Sequence, residues 1–294
     1  MTHRQTARRV CAGIAAVAAG GLLTASQRLP NEPFRAFGTS ITAAFEGWFE
    51  NPDGSKSFLV GYLNRNSAQS IDVPLGANNR IEPDGPDYGQ PTHFLPGRQY
   101  GMFVVTVPKT FTPQDKLTWT IVANGQSTSV PFRLHPDYAV SPFHDVAVNN
   151  TPPVLRFEPE GPPAQGPVAR LSNAVSRSAS VSTPLALTIW PSDDALFASW
   201  TMAVPRDLPP PVQLEWSKYR GPGTVTFDKA KPALETLEGG GVNDAFRGKA
   251  TTMVTFSEPG DYVLHVTATD YSGPGGGGEV CCWTTALVKV SVTP

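Results

Sequence analysis

The segment TTMVTFSEPGDYVLHVTAT, Thr251 to Thr269, alternates apolar and polar residues on both sides of a Glu258-Pro259-Gly260-Asp261 turn. Alternation of period two places every second side chain on one face of an extended strand, and Pro with Gly supplies the reversal, so the pattern is that of paired strands. Asp270 follows, and Val280 to Val292 resumes the pattern after a Gly-rich break. Strands of this kind, each with one apolar face, predict an antiparallel β-sandwich for the C-terminal part of the chain.

The same period extends upstream. Leu185, Leu187 and Ile189 alternate before Trp190, and Val212, Leu214 and Trp216 alternate before Ser217. Thr224 to Phe227 and Val154 to Phe157 add two more strands, for seven in all. Closer to the N-terminus, Phe45 to Glu50 and Ser55 to Asn66 flank Asn51-Pro52-Asp53-Gly54. Pro presets one turn residue there and Gly accepts positive φ, so these strands form a hairpin. Further strands are expected at Gln69 to Val73, Gly101 to Val107, Lys116 to Asn124 and Thr128 to Leu134. The fold class is therefore all-β, with two antiparallel β-sandwich domains. The expected divisions are a signal peptide (1–26), an extended segment (27–37), a first sandwich (38–148), a Pro/Ser-rich linker (149–183) and a second sandwich (184–294).

Arg4, Arg8 and Arg9 precede the small apolar run Val10 to Ala25, which closes on Thr24-Ala25-Ser26. That order of charge, apolar core and small residues is the pattern of a secretory signal. The run is short and rich in Ala and Gly for a membrane span, and no other apolar span follows, so no span is expected after signal removal. Without those three arginines, 20 basic residues face 25 acidic ones, a formal charge near minus five. No basic patch points to nucleic acid. The 30 Pro and 27 Gly suit many short strands joined by turns.

Over the last 110 residues or so the chain resembles the PKD and immunoglobulin-like superfamily. Trp216 stands where a core Trp of the third strand is expected, and Pro259 to Asp270, PGDYVLHVTATD, carries the rest of the likeness. The resemblance implies that Tyr262 is a corner tyrosine whose hydroxyl bonds the backbone. The chain departs from the PKD pattern at Glu215-Trp216-Ser217-Lys218-Tyr219 and lacks the immunoglobulin inter-sheet cysteine pair. The first domain, with GYLNRN and GQPTHFLPGRQYGMFVVTVP, resembles secreted bacterial proteins of unassigned function.

Several constellations could carry chemistry. Asp193 and Asp194 follow one strand and Asp270 another, and these loops share a pole of the sandwich; gathered carboxylates suit calcium, while turn capping uses the same residues. Leu75 to Arg98 is a long, Pro- and Gly-punctuated loop whose Asp84, Asp87, Tyr88, Gln90, His93 and Arg98 form a polar ligand-binding inventory. His93, His135 and His144 would make a transition-metal site only if that loop folds back on the Leu134 to Asp145 segment. Cys281 and Cys282 are adjacent, leaving three states open: a vicinal disulfide, an intermolecular bridge, or two free thiols. Trp283 beside them, with Tyr88 and Trp200, is an aromatic candidate for glycan stacking.

There is no Gly-x-Ser-x-Gly elbow, His-Glu-x-x-His, P-loop or dinucleotide fingerprint. Carboxylates from distant loops could still pair as in a glycosidase. The expectation is an exported, non-catalytic binding or structural module, periplasmic or at the cell surface, with a protein, cell-envelope or matrix partner. One alternative is a carbohydrate-binding or carbohydrate-cleaving accessory protein. The other is an assembly subunit, a homo-oligomer in which Gln27 to Phe37 adds a strand to a neighbouring copy.

Overall fold

Apolar residues spaced two apart can leave water together when sheets stack face to face, and the computed structural model of the chain is built in that way. The structure describes residues 33–83, 85, 87–197, 208–275 and 280–294. The expected signal peptide, Asp84 and Trp200 lie outside these residues. Phe34 to Pro294 forms one compact unit. Among the described residues there is no α-helix, and no helix is long and apolar enough to cross a membrane.

In the N-terminal half, β1 (Ile41–Glu50), β2 (Lys56–Asn64) and β6 (Gly97–Val107) form one sheet. A second sheet joins β4 (Asn79–Glu82), β7 (Leu117–Ala123) and β8 (Gln126–Phe132), and the short β3 (Ile71–Asp72) and β5 (His93–Phe94) pair beside them. The expected hairpin forms with Glu50 opposite Lys56, and its turn is closed by the Gly54 N–H donating to Asn51 O at 2.8 Å. The inner faces supply a core that includes Phe58, Val60, Tyr62, Phe103, Val105, Trp119, Ile121 and Phe132. Leu59 and Val104, on the opposite face of the β2–β6 pair, are also buried and pack with Phe49 and Trp283. This sheet is therefore covered on both sides.

In the C-terminal half, β9 (Val154–Arg156) and β10 (Ala164–Gln165) lead through β11 (Val175–Ser180) to β12 (Leu185–Asp193), β13 (Gln213–Arg220) and β14 (Val225–Phe227). They are followed by β15 (Glu235–Glu238), β16 (Phe246–Phe256), β17 (Gly260–Thr269) and β18 (Trp283–Thr293). One sheet runs β10-β9-β12-β16-β14, with β15 also on β16, and the other runs β11-β18-β17-β13. The strands on either side of Glu258-Pro259 are thus not paired with each other: β16 and β17 belong to different sheets, and the turn carries the chain from one to the other. Both strands keep one apolar face because both look into the same core. Leu214, Trp216, Leu264, Val266, Phe256 and Tyr262 fill the space between the sheets. The Tyr262 hydroxyl donates to Glu258 O at 2.8 Å and accepts from the Gly223 N–H at 3.0 Å, the corner arrangement that the immunoglobulin-like resemblance implied.

The stretch 149–183, read as a linker, is built into the sheets. β9 pairs with β12 and β11 lies parallel to β18, while Leu155 is buried in the second core and Ala169 in the first. Proline and serine made it look like a spacer, but buried Leu155 and Ala169 together with main-chain pairing hold its short strands in the sheets.

Candidate functional site

On β17, residues two apart share a face, so His265, Thr267 and Thr269 look one way while Leu264, Val266 and Ala268 face the second core. Strand register extends the same outward face sideways. Ser217, Glu215 and Gln213 of β13 stand opposite His265, Thr267 and Thr269, and Trp283 of β18 stands opposite Thr269. The first sandwich lays Leu95 and the start of β6, from Arg98 to Met102, over this face. Between them remains a cleft of about 340 Å³.

Two ring nitrogens among the cleft-lining side chains are buried without a partner: Nε2 of His265 and Nε1 of Trp283. Each residue is only 1% exposed. Burial pushes the His265 pKa down to about 4, with the Met102 backbone pulling the other way, so the ring is neutral at physiological pH. Its flat face stacks on Tyr219, centroids 5.8 Å apart. Gly101 adopts φ +47°, and a β-carbon there would run into the Trp283 indole, so only glycine lets β6 pass so close. The charges at the rim are already matched. Lys231 pairs with Glu215 at 3.2 Å, and Arg98 pairs with Glu46 at 2.6 Å while its guanidinium lies 4.3 Å above the Tyr100 ring. Burial raises the Glu46 pKa, and the Arg98 charge and hydrogen bond oppose that rise.

The Leu75 to Arg98 loop is committed to contacts inside the chain. Asp87 takes a two-pronged contact from Arg220 at 2.8 and 3.0 Å, which lowers its pKa chiefly through those hydrogen bonds. The same guanidinium donates to Gln90 O, and the Tyr219 hydroxyl donates to Gly89 O at 2.5 Å. Gln90 is fully buried and its side-chain oxygen accepts from the Tyr88 N–H. His93 meets Asp72 at 2.9 Å, and Asp72 also meets Lys218 at 3.4 Å. Asp87 and the Gln90 carbonyl thus tie the loop to β13 of the second sandwich, His93 stays beside Asp72 of the first, and Arg98 stands apart at the cleft.

The acidic pole does come together, electrostatically. Asp193 is buried, accepts from the Ala195 N–H at 2.8 Å through one oxygen, and leaves its other oxygen without a partner. Burial raises its pKa to about 8, with the charges of Asp270 and Asp194 adding to the rise. Burial also raises the Asp270 pKa, against hydrogen bonds from Ser272 and Asn150. Asp194 accepts from Thr151 and from the Leu196 N–H. Each of the three closes a turn onto the residue two positions ahead, the local geometry of a capping aspartate. Among the described residues no three His, Cys, Asp or Glu side chains converge as metal ligands. His135 Nδ1 accepts from the Asp137 N–H two positions ahead, and His144 Nε2 meets the Asn149 side-chain oxygen at 3.0 Å.

Of the three states open to the cysteines, the structure shows the vicinal disulfide, with both residues fully buried. Trp283 is correspondingly no exposed platform, since the first sandwich covers it. The cleft residues His265 and Trp283 were only half legible beforehand. The alternation tells which face His265 shares with Thr267 and Thr269, but what covers that face depends on the other sandwich. The assembly segment is partly spoken for, since Arg35 and Ala36 pair along Arg65 to Ala68 of the same chain.

No family model and no curated protein matches the chain. Among solved structures it is similar to the D00-D0 domain of intimin, at 13% identity over 85% of this chain and 99% of that one, with a TM-score of 0.24. Domains 4 and 5 of the S-layer protein SbsC are similar at 10% identity over 87% and 98% of the two chains, TM-score 0.21. CfaE, the adhesive subunit of the CFA/I fimbria of enterotoxigenic Escherichia coli, is similar at 6% identity over 89% and 82%, TM-score 0.26. At such TM-scores these likenesses carry no inference about this chain's function.

Proposed function

We propose that this protein is exported and works outside the cytoplasm as a non-catalytic binding or structural module, holding a protein or envelope partner on a stiff two-sandwich support. The observation that carries the reading is the way the halves are locked together. Arg220 and Tyr219 clamp the long loop, Trp283 fills the outer face of the first sandwich's sheet, and Ala169 N–H and O groups bridge both. A block joined along so many points transmits position instead of flexing, as a spacer or presenter needs. The PKD-like assignment of the second sandwich belongs to this reading and rests on Trp216 and the Pro259 to Asp270 segment.

The partner surface in this reading is the connection after β8, where Tyr138, Phe143 and Val146 are exposed although Tyr138 and Phe143 lie edge-on to Phe45 and Phe49 of β1. The test has two arms. The full chain, expressed with its own N-terminus, should be recovered outside the cytoplasm. Labelled protein should bind isolated envelopes of the producing cells saturably, and a Tyr138→Ser, Phe143→Ser, Val146→Ser variant with an unchanged melting curve should lose that binding. Cytoplasmic retention, or binding that the variant keeps, would refute the assignment.

A further inference from the structure

We propose that the outer face of the β9–β12–β16 sheet binds a uronate-bearing polysaccharide, with Trp190 as the stacking surface and Arg156 and Lys249 as the cations that hold its carboxylates. On β12, Leu187 and Ile189 point into the second core, so Thr188, Trp190 and Ser192 point the other way. Trp190 belongs to no core cluster, whereas Trp119, Trp216 and Trp283 are buried and Trp48 packs on the first core. The first sandwich lies over the opposite sheet, at β13, β17 and β18. Arg156, Trp190 and Lys249 are each left half-buried, with their outer surfaces in reach of a ligand.

Strand pairing puts a cation on each side of the ring. Arg156 of β9 stands opposite Trp190, and from β16 the Lys249 Nζ lies 6.0 Å from the ring centroid. Among the described residues neither cation forms an ion pair, although Glu235 of β15 stands opposite Lys249 in register. Arg247, in the next row, is matched by Glu238 at 3.4 Å. Two strand spacings separate Arg156 from Lys249, roughly 10 Å, the reach of two linked sugar rings. The ligand class follows from what the face offers. β12 is paired on both sides, so its main-chain groups are used and a ligand meets side chains alone. An extended peptide, which binds through main-chain hydrogen bonds at a free sheet edge, finds none here. Two unmatched cations suit an anion of sparse charge, whereas a nucleic acid, charged at every phosphate, is repelled by a chain of net charge -2. A sugar ring that carries a carboxylate uses both parts of the face, its C–H side on the indole and its charge on the flanking cations. This face shares no residue with the exposed 138–146 surface, and the inference depends neither on export nor on an envelope partner.

Calorimetric titration of the full chain at low salt with short oligogalacturonates tests it, beside neutral malto-oligosaccharides, oligothymidylate and polyglutamate. Saturable binding of the oligogalacturonates is expected, in preference to the other three, and added salt should weaken it. Trp190→Ala removes the stacking surface and should weaken binding about 3- to 10-fold. A double variant, Arg156→Gln with Lys249→Gln, removes both charges at little cost in shape and should weaken it by about the same factor. All three side chains lie outside the cores, so the melting curves should be unchanged; should Trp190→Ala fail to fold, the double variant decides. No saturable heat with oligogalacturonate at millimolar concentration would overturn the proposal, as would binding that a folded variant keeps in full. Tighter binding of oligothymidylate, polyglutamate or the neutral sugars would overturn it equally.

Discussion

Replacing Asp193 with asparagine should flatten the upper arm of the stability–pH profile. In the folded chain Asp193 keeps its proton up to about pH 8, against an ordinary value of 3.8, because burial disfavours the carboxylate and Asp270 and Asp194 repel it. The folded state therefore holds a proton that the unfolded state has lost, so stability falls as pH rises through this window. The contribution is complete below the unfolded value and gone above the folded one. His265 acts with the opposite sign. Its folded pKa of about 4 lies below the ordinary 6.5, so its contribution is lost as pH falls from 6.5 towards 4. Between pH 4 and 6.5 these two slopes oppose each other, so the profile should fall less steeply there than the carboxyl side alone would make it.

Above pH 6.5 only the carboxyl side remains, at about 1.4 kcal/mol per pH unit for one proton. From pH 6.5 to 8 that is roughly 2 kcal/mol, or about 4–8 °C in melting temperature for a chain of this size. The asparagine side chain does not ionise, and its amide oxygen can accept from the Ala195 N–H in the place of the carboxyl. Melting curves recorded every half pH unit should show the wild type falling above pH 6.5. The Asp193→Asn variant should keep only a remnant slope there from the raised Asp270 and Glu46, and between pH 4 and 6.5 its slope should be more positive than the wild type's, because Asp193 no longer offsets His265. A wild-type profile already flat above pH 6.5, or a variant with the full slope, would refute the reasoning.

Three further outcomes are expected. Tyr262→Phe leaves the Gly223 N–H and Glu258 O without their shared hydroxyl, and should cost about 1–3 kcal/mol in urea unfolding. Arg220→Ala strands Asp87 and the Gln90 carbonyl, and should cost about 1–3 kcal/mol while opening the Leu75 to Arg98 loop to protease, which gel analysis of the fragments would show. Gly101→Ala drives a β-carbon into the Trp283 indole at a positive φ. It should cost about 1–3 kcal/mol and shift tryptophan emission as the ring is displaced, whereas unchanged emission would contradict the close approach.

Local periodicity alone determined most of the strand content of this protein. The hairpin around Asn51-Pro52-Asp53-Gly54 and the two strands flanking Glu258-Pro259 follow from near neighbours in sequence, because turn chemistry and an apolar face every second residue are local properties, while the Tyr262 corner was implied by the immunoglobulin-like resemblance. The capping role of Asp193, Asp194 and Asp270 was equally legible as one of two readings, since an aspartate bonds the backbone two residues ahead whatever else surrounds it. The rest required the tertiary structure. Whether two successive strands pair or face each other across a core is invisible to alternation, which is the same in both cases, and β16 and β17 take the second course. Residues 149–183 carry too little periodicity to reveal strands whose partners lie far along the chain, such as β18 for β11. Asp87 in the long loop looks like a free ligand until Arg220, 133 residues away, takes it, with the Gln90 backbone carbonyl bonded by the same guanidinium. His265 and Trp283 show a face in the sequence but no cover. Their burial, their partnerless nitrogens and the cleft between them exist only because one sandwich closes over the other's sheet, and no local pattern encodes where two folded faces will meet.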